Sequence, residues 1–473
     1  MNLMAQRLRA ALAACVSALL LASCGGVGQD GTGATPDTRT TGVINGFGSV
    51  IVNGIRFDVS GAEFSVDGAA GRTQADLRVG MVVDVTGSMA EDGTSGMATS
   101  VVYESLLRGT LDDLPALRSL RVLGQMVSTD DTTVFIGATN ADDLRAGDRL
   151  QISGFRGPDG SLRATFISRE SGPADWQLTG FITSVAGTAV RVAGLDVSVA
   201  GAELQGVTLG SLAPGQLVRV VLQGPPVAGA AVASKLRLID TRLPDGLRKL
   251  QLQGLVAQRD AAAGRFTLNG QPVQLSAATA YRDGTAADLA NGARVEVSGT
   301  LTPGLVLRAD TLRFFRTQLG GYGRGKVTAV DVVGKRFNLL ANPGIEVRLR
   351  SDTLLNDTSL GAGDLSLATL AVGDEVLVLG QASDARIDAA LLTRLPRIAT
   401  GAGVAGPVTA IAGSTLTILG TPVAVNGASF IDAQGLPVSQ GAFLAALRIN
   451  DEVRADGNFS AGMLTATTVR RPR

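Results

Sequence analysis

Three markers recur in the same order six times along this chain, and no other feature constrains the fold as tightly. Each repeat opens on a glycine: Gly42, Gly109, Gly180, Gly254, Gly325 and Gly406, separated by 67, 71, 74, 71 and 81 residues. Next comes Leu-x-x-Gly, an alternating apolar run, and a second glycine. The pattern reads Leu77 to Gly80 then Gly87, Leu144 to Gly147 then Gly154, Leu289 to Gly292 then Gly299, and Leu370 to Gly373 then Gly380. The two glycines are 7 residues apart in each of these (87 − 80), whereas repeat 3 spans 9, from Gly215 to Gly224. Repeat 6 has Asn450 in the first glycine's place and keeps Gly457. Asparagine is the other residue that readily takes left-handed backbone, so the exception points to a turn. The third marker is Ala-x-x-apolar: Ala98 to Val101, Ala164 to Ile167, Ala233 to Leu236, Ala309 to Leu312, Ala389 to Leu392 and Ala466 to Val469. Self-similarity at a steady period is the signature of a repeated supersecondary unit.

Each unit reads as all-β. Val83/Val85, Leu150/Ile152, Val295/Val297 and Val376/Val378 alternate with polar residues, the period of a half-buried strand. About five such strands fit in one unit, with a short helical turn expected just before Leu-x-x-Gly. Five strands in ~70 residues leave open edges unless the sheet curls into a small barrel. A domain of that size buries only ~60% of its unfolded surface, so packing on neighbours or sharing strands with them is expected. The expected fold is a tandem array of six small five-stranded, barrel-like (OB-like) domains. The breaks place them at 41–107, 108–175, 176–249, 250–318, 319–399 and 400–473.

The stretch "GVINGFGSVIVNGIRFDVSGAEFSVDG", followed by "DLRVGMVVDVTGS", resembles the bacterial domain-of-unknown-function family numbered 5666. The likeness is close in repeat 1, recognisable in repeats 2 to 4 and looser in repeats 5 and 6. It implies an exported lipoprotein carrying several small β-domains, and it brings no catalytic or ligand residues.

The N-terminus supports export. Arg7 and Arg9 precede a short apolar run that ends in Leu21-Ala22-Ser23-Cys24. The run is too short to span a bilayer and has the charge layout of a secretory signal. The tetrapeptide resembles a bacterial lipobox, which assigns 1–23 as the signal and Cys24 as the lipidated residue. Cys15 would leave with the signal, so the exported fold would hold no disulfide. Gly25, where an aspartate would favour inner-membrane retention, points to the outer membrane. Residues 24–40 are rich in Gly, Thr, Pro and Asp and read as a flexible tether.

Composition excludes several function classes. The chain has no histidine, which removes Ser-His-Asp and Cys-His catalysis and imidazole metal sites. Lys+Arg and Asp+Glu are both 42, so the basic excess of a nucleic-acid binder is missing. Aromatics are 4%, few for stacking on sugars or bases. Gly46-Phe47-Gly48 begins like a phosphate loop, but a strand, an Asn53-Gly54 turn and another strand follow it, not a helix. Asp112-Asp113, Asp130-Asp131 and Asp142-Asp143 crowd repeat 2, but in no calcium-loop pattern, and read as turn and cap residues. Trp176 is expected to pack a junction between repeats. Arg470 to Arg473 reads as a solvated tail.

No catalytic, cofactor or metal residue is assigned, and Cys24 is the one candidate site. The expected role is a lipid-anchored envelope protein that binds or scaffolds envelope proteins or polysaccharide. The competing class is a carboxylate enzyme acting on envelope polysaccharide. An enzyme would gather acids in one repeat's cleft, and a binding array would repeat one exposed groove.

Overall fold

The computed structural model describes residues 38–471, apart from 117, 139, 158, 173–174, 242, 244–245, 316–319, 342–343, 360–363 and 397–400. The signal segment, Cys24 and the tether up to residue 37 lie outside the described residues. The first strand begins at Thr38, so Thr38, Arg39 and Thr40 belong to a sheet and not to the expected tether. Among the described residues the strands fall into three barrel-like sheets of 13, 12 and 12 strands.

Repeat 1 shows the local logic. β1 (Thr38–Gly46), β2 (Val50–Val52) and β3 (Ile55–Asp58) form a meander. β4 (Glu63–Val66) and β5 (Ala69–Arg72) form a hairpin, and β6 (Val82–Met89) and β7 (Ser95–Tyr103) complete the unit. β3 and β4 run parallel to β7, β7 pairs antiparallel with β6, and β6 returns to β1, which closes a ring. The same order of pairing recurs after the opening strands Leu107–Ala116, Trp176–Ala186, Lys249–Asp260, Gly320–Asp331 and Ala402–Ala412. The short helical turn is present as 3-10 segments at Gln74–Asp76, Ala141–Asp143, Leu209–Ser211 and Ala286–Asp288, and as the α-helix Gln440–Ala446 in repeat 6.

The markers have separate mechanical reasons. The glycine of Leu-x-x-Gly is left-handed, with φ of 91° at Gly80 and 83° at Gly292, and Asn450 takes the same conformation at 72°. The following glycine and the marker alanine are cross-strand partners at a β-bulge: Gly87 faces Ala98 and Gly299 faces Ala309. A Cβ on either glycine would lie 2.0 Å from a carbonyl oxygen of the facing strand. Repeat 3 departs from the expected alignment. Leu222, not Gly224, faces Ala233 at the bulge, and a Cβ on Gly224 would meet open space.

The repeats share strands. Ring closure leaves one edge free on the first half of each opening strand, upstream of the opening glycine, because the second strand pairs only with the downstream half. That edge needs a partner. Repeats 2 and 3 join antiparallel, with Leu107 opposite Leu178. Repeats 5 and 6 join in the same sense, with Gly323 opposite Val404. Repeat 1 joins repeat 4 in parallel, Thr38 to Thr41 lying opposite Lys249 to Leu252. Sequence neighbours are therefore not always sheet neighbours, which a simple head-to-tail array would require. The buried cores follow these seams: one cluster spans repeats 2 and 3, and another spans repeats 5 and 6. The core of repeat 1 takes in Val134, Phe155 and Phe166 from repeat 2, Leu255 from repeat 4, and Leu354 and Leu391 from repeat 5.

Candidate functional site: a cleft between repeats

Of the residues singled out in the sequence, Asp130, Asp131, Arg470 and Arg471 line one cleft, and the others lie apart from it. Gly46 ends β1, Phe47 packs on the core of repeat 1, and Gly48 turns the chain at φ 101° into β2. Gly54 donates its N–H to the Asn45 side-chain oxygen at 2.9 Å, inside a β-hairpin. In repeat 2, Asp112 accepts the Gly124 N–H at 2.7 Å and Asp113 pairs with Arg121 at 3.4 Å. Asp130 caps Thr132 at 2.8 Å, and Asp131 pairs with Arg118 at 2.7 Å. Asp142 and Asp143 sit in the 3-10 turn. No group of three or more metal-ligating side chains comes together among the described residues. Trp176 packs on the core shared by repeats 2 and 3, at their seam. The C-terminal arginines differ from the expected tail. Arg471 donates to Asp451 at 2.6 Å and to the Ala446 carbonyl at 2.7 Å, and Arg470 donates to Asp456 at 3.3 Å. Cys24 lies outside the described residues.

Some of the charged side chains reach from one repeat to another. Arg219 of repeat 3 is 4% exposed. It reaches back to Asp67 and Glu104 at the end of repeat 1, to Ser105 and to Gln177. Burial opposes ionisation of Asp67, but Arg219 and the Ser105 N–H outweigh it and hold the carboxyl below the usual range. Arg294 of repeat 4 donates to Thr132 of repeat 2 at 3.0 Å and lies 5.6 Å and 5.0 Å from the Phe155 and Phe315 ring centres. Glu296, beside the seam of repeats 1 and 4, is pushed up to about 7 by burial, with Gln251 donating to it at 2.7 Å.

A cleft of about 1000 Å³ has walls from repeats 2, 5 and 6. Its apolar floor is Leu377, Leu379, Leu391 and Leu395. On one wall stand Val134, Phe135 and Ile136 of repeat 2, and on another Asn356, Asp357 and Thr358 of repeat 5. Tyr322 of repeat 5 and Arg454 and Arg470 of repeat 6 line the cleft and surround Asp456 beside it. Tyr322 of repeat 5 donates its hydroxyl to Asp456 at 3.1 Å, and Arg454 donates at 2.8 Å while lying 3.8 Å from the Tyr322 ring centre. Burial pushes the Tyr322 hydroxyl up to about 12. Burial also works against the Asp456 charge, but Arg454 and Arg470 prevail and lower its pKa. Glu296 and Glu375, whose pKa values are raised, do not line the cleft. No linear motif marks this site, because its walls are drawn from short stretches of three separate repeats.

The sequence profile described as Domain of unknown function (DUF5666) matches residues 41–101, 108–168, 253–311 and 405–470. The chain belongs to the DUF5666 family. The DUF5666 matches fall on repeats 1, 2, 4 and 6. Repeat 6 is thus nearer the DUF5666 pattern than its looser spacing suggested, and repeat 3 is further from it. Repeat 3 carries Leu222 at the bulge, where the matched repeats 1, 2, 4 and 6 have Gly87, Gly154, Gly299 and Gly457. In repeat 5 the left-handed Leu340, at φ 72°, is followed by Ala341, where Asn53 and Asn269 are each followed by a glycine. Comparison with curated proteins gives no match.

Proposed function

We propose that this chain is an exported lipoprotein, anchored in the outer membrane through Cys24, that presents six small OB-like domains as one binding and scaffolding body at the cell envelope. Closed five-strand pairing with the third strand parallel to the last supports the OB-like assignment for all six repeats. The observation that carries the functional reading is where the polar and concave surfaces lie. Arg219, Arg294 and the cleft are all built between repeats, so the assembly and not the single domain is the working unit. Ligand sites commonly form at such domain junctions. Two of the cleft's four aspartates stand against arginines, Asp131 against Arg118 and Asp357 against Arg394, while Asp130 accepts from Thr132 and Asp432 from the Gln434 and Leu436 N–H groups. The reading assigns them no acid or base step. The anchor is tested by expressing Cys24→Ser in the native host and separating membrane from soluble fractions. Release into the soluble fraction is expected, and retention in the membrane overturns the anchor.

A further inference from the structure

Two repeats cover the edge of their fourth strand with an added strand. In repeat 1, Ala69–Arg72 lies antiparallel on Glu63–Val66. In repeat 6, Pro437–Val438 lies antiparallel on Ser429–Ile431. The equivalent strand of repeat 2, Val134–Ile136, pairs on one side with Leu162–Arg169 and has no second strand partner among the described residues. The equivalent part of repeat 5, Leu354 to Asp357, pairs with Leu391 to Arg394 and with no second strand among the described residues; Leu354 and Leu355 pack on repeat 1, and Asn356 and Asp357 face the cleft. Residues from both of these uncovered edges line the cleft. Sheet edges of this kind are templates for an incoming strand.

We infer that the cleft between repeats 2, 5 and 6 binds an extended polypeptide that adds as an antiparallel strand to Val134–Ile136 or to Leu354–Asp357. The inference rests on the binding role proposed above and names the partner's chemistry. The occupant is a peptide segment with apolar side chains at alternate positions, facing Leu377, Leu379, Leu391 and Leu395. Five arginines and four aspartates line the cleft, so the segment is neutral to acidic. Repeats 1 and 6 show that this fold accepts an antiparallel strand at that edge. A sugar polymer fits less well. Tyr322 has its face taken by Arg454, which leaves Phe135 as the other aromatic in the lining.

The test pans a displayed library of linear peptides against the full chain lacking its signal and lipid, with Leu395→Arg as the comparison. Leu395 is half-buried in the cleft floor, so arginine there obstructs the cleft and leaves the strand pairing intact. Selected peptides are expected to alternate apolar residues and to bind Leu395→Arg at least ~10-fold more weakly. They are also expected to slow amide exchange in 134–137 or 354–358 of the wild-type chain. Peptides that bind both proteins equally, or that protect neither segment, overturn the inference, as does a selection that yields no binder. Envelope glycans or anionic lipid vesicles whose binding Leu395→Arg abolishes would also overturn the peptide assignment while leaving the binding role in place. Circular dichroism and thermal unfolding of Leu395→Arg check that its fold matches wild type.

Discussion

Gly42 lies directly beneath Asn53, the residue that turns the first hairpin. A Cβ on Gly42 would sit 2.0 Å from the Asn53 side-chain oxygen, while Asn53, at φ 53°, donates its amide to the Thr41 carbonyl at 3.2 Å. Gly254 and Asn269 repeat the arrangement in repeat 4, with a Cβ 2.5 Å from the oxygen and an amide bond to the Gln253 carbonyl at 2.8 Å. The other repeats place Leu123, Ala193, Leu340 and Leu419 over their opening glycines, all at positive φ. The opening glycine thus makes room for a left-handed turn residue. Gly42→Ala is expected to force that turn aside and to cost about 1–3 kcal/mol, the usual range for overpacking. Urea unfolding read by circular dichroism measures it, and an unchanged midpoint would contradict the contact.

Asp67 and Arg219 tie repeat 1 to repeat 3. Asp67→Asn leaves the nearly buried Arg219 without one of its carboxylates and is expected to destabilise by ~3 kcal/mol at neutral pH. The Asp67 pKa is lowered in the fold, so its contribution is complete above its ordinary pKa and declines as pH falls through the lowered value. The gap between wild type and Asp67→Asn should therefore narrow below about pH 4. Paired urea titrations at pH 7 and pH 3 test this, and a gap that widens in acid would refute it.

Glu296 has the opposite sign. Its folded pKa is raised to about 7, so the protonated carboxyl is the form that the fold favours. The stability it contributes is present below its unfolded pKa and is lost as pH rises through about 7. Glu296→Gln keeps the shape without the charge. It is expected to match wild type near pH 4 and to be more stable by on the order of 1–3 kcal/mol at pH 8. Thermal unfolding across that range decides it, and equal pH profiles would argue against a buried carboxyl.

Fragments should behave according to the seams. Residues 104–240 carry the whole core shared by repeats 2 and 3 and are expected to unfold in one cooperative step. Residues 41–107 lose Val134, Phe155, Phe166, Leu255, Leu354 and Leu391 from their core, along with the strand at Lys249 to Leu252. That fragment is expected to be largely unfolded, with weak β-type circular dichroism. A folded, cooperative repeat 1 alone would show that the shared core is dispensable.

Much of the fold was legible in the markers because each serves a local need. Asn450 could be recognised as a left-handed turn residue from its substitution for glycine alone, and it has that conformation. Leu222 could not be recognised as the bulge residue of repeat 3, because Gly224 lies two positions away and offered a plausible alignment. Asp130, Asp131, Arg470 and Arg471 stood out in the sequence, but nothing there joined them into one cleft. Leu377, Ile136 and Arg454 belong to three different repeats and share no spacing. The C-terminal Arg471 looked like tail because nothing in its own neighbourhood announces Asp451 as its partner.

The amino-acid sequence by itself determined the unit: a closed ring of short strands, its left-handed turns, its Gly–Ala bulge and its short helical turn. These depend on φ, on hydrogen bonds between nearby strands and on close contacts within about seventy residues, and such requirements are written into residue type. Only the tertiary structure decided which unit joins which. Every opening strand offers the same kind of free backbone edge, so backbone pairing alone cannot distinguish repeat 4 from repeat 2 as the partner of repeat 1. That choice rests on side chains far apart in the chain, among them Arg219 with Asp67, Arg294 with Thr132, and Gln253 with the Val43 N–H at 3.0 Å.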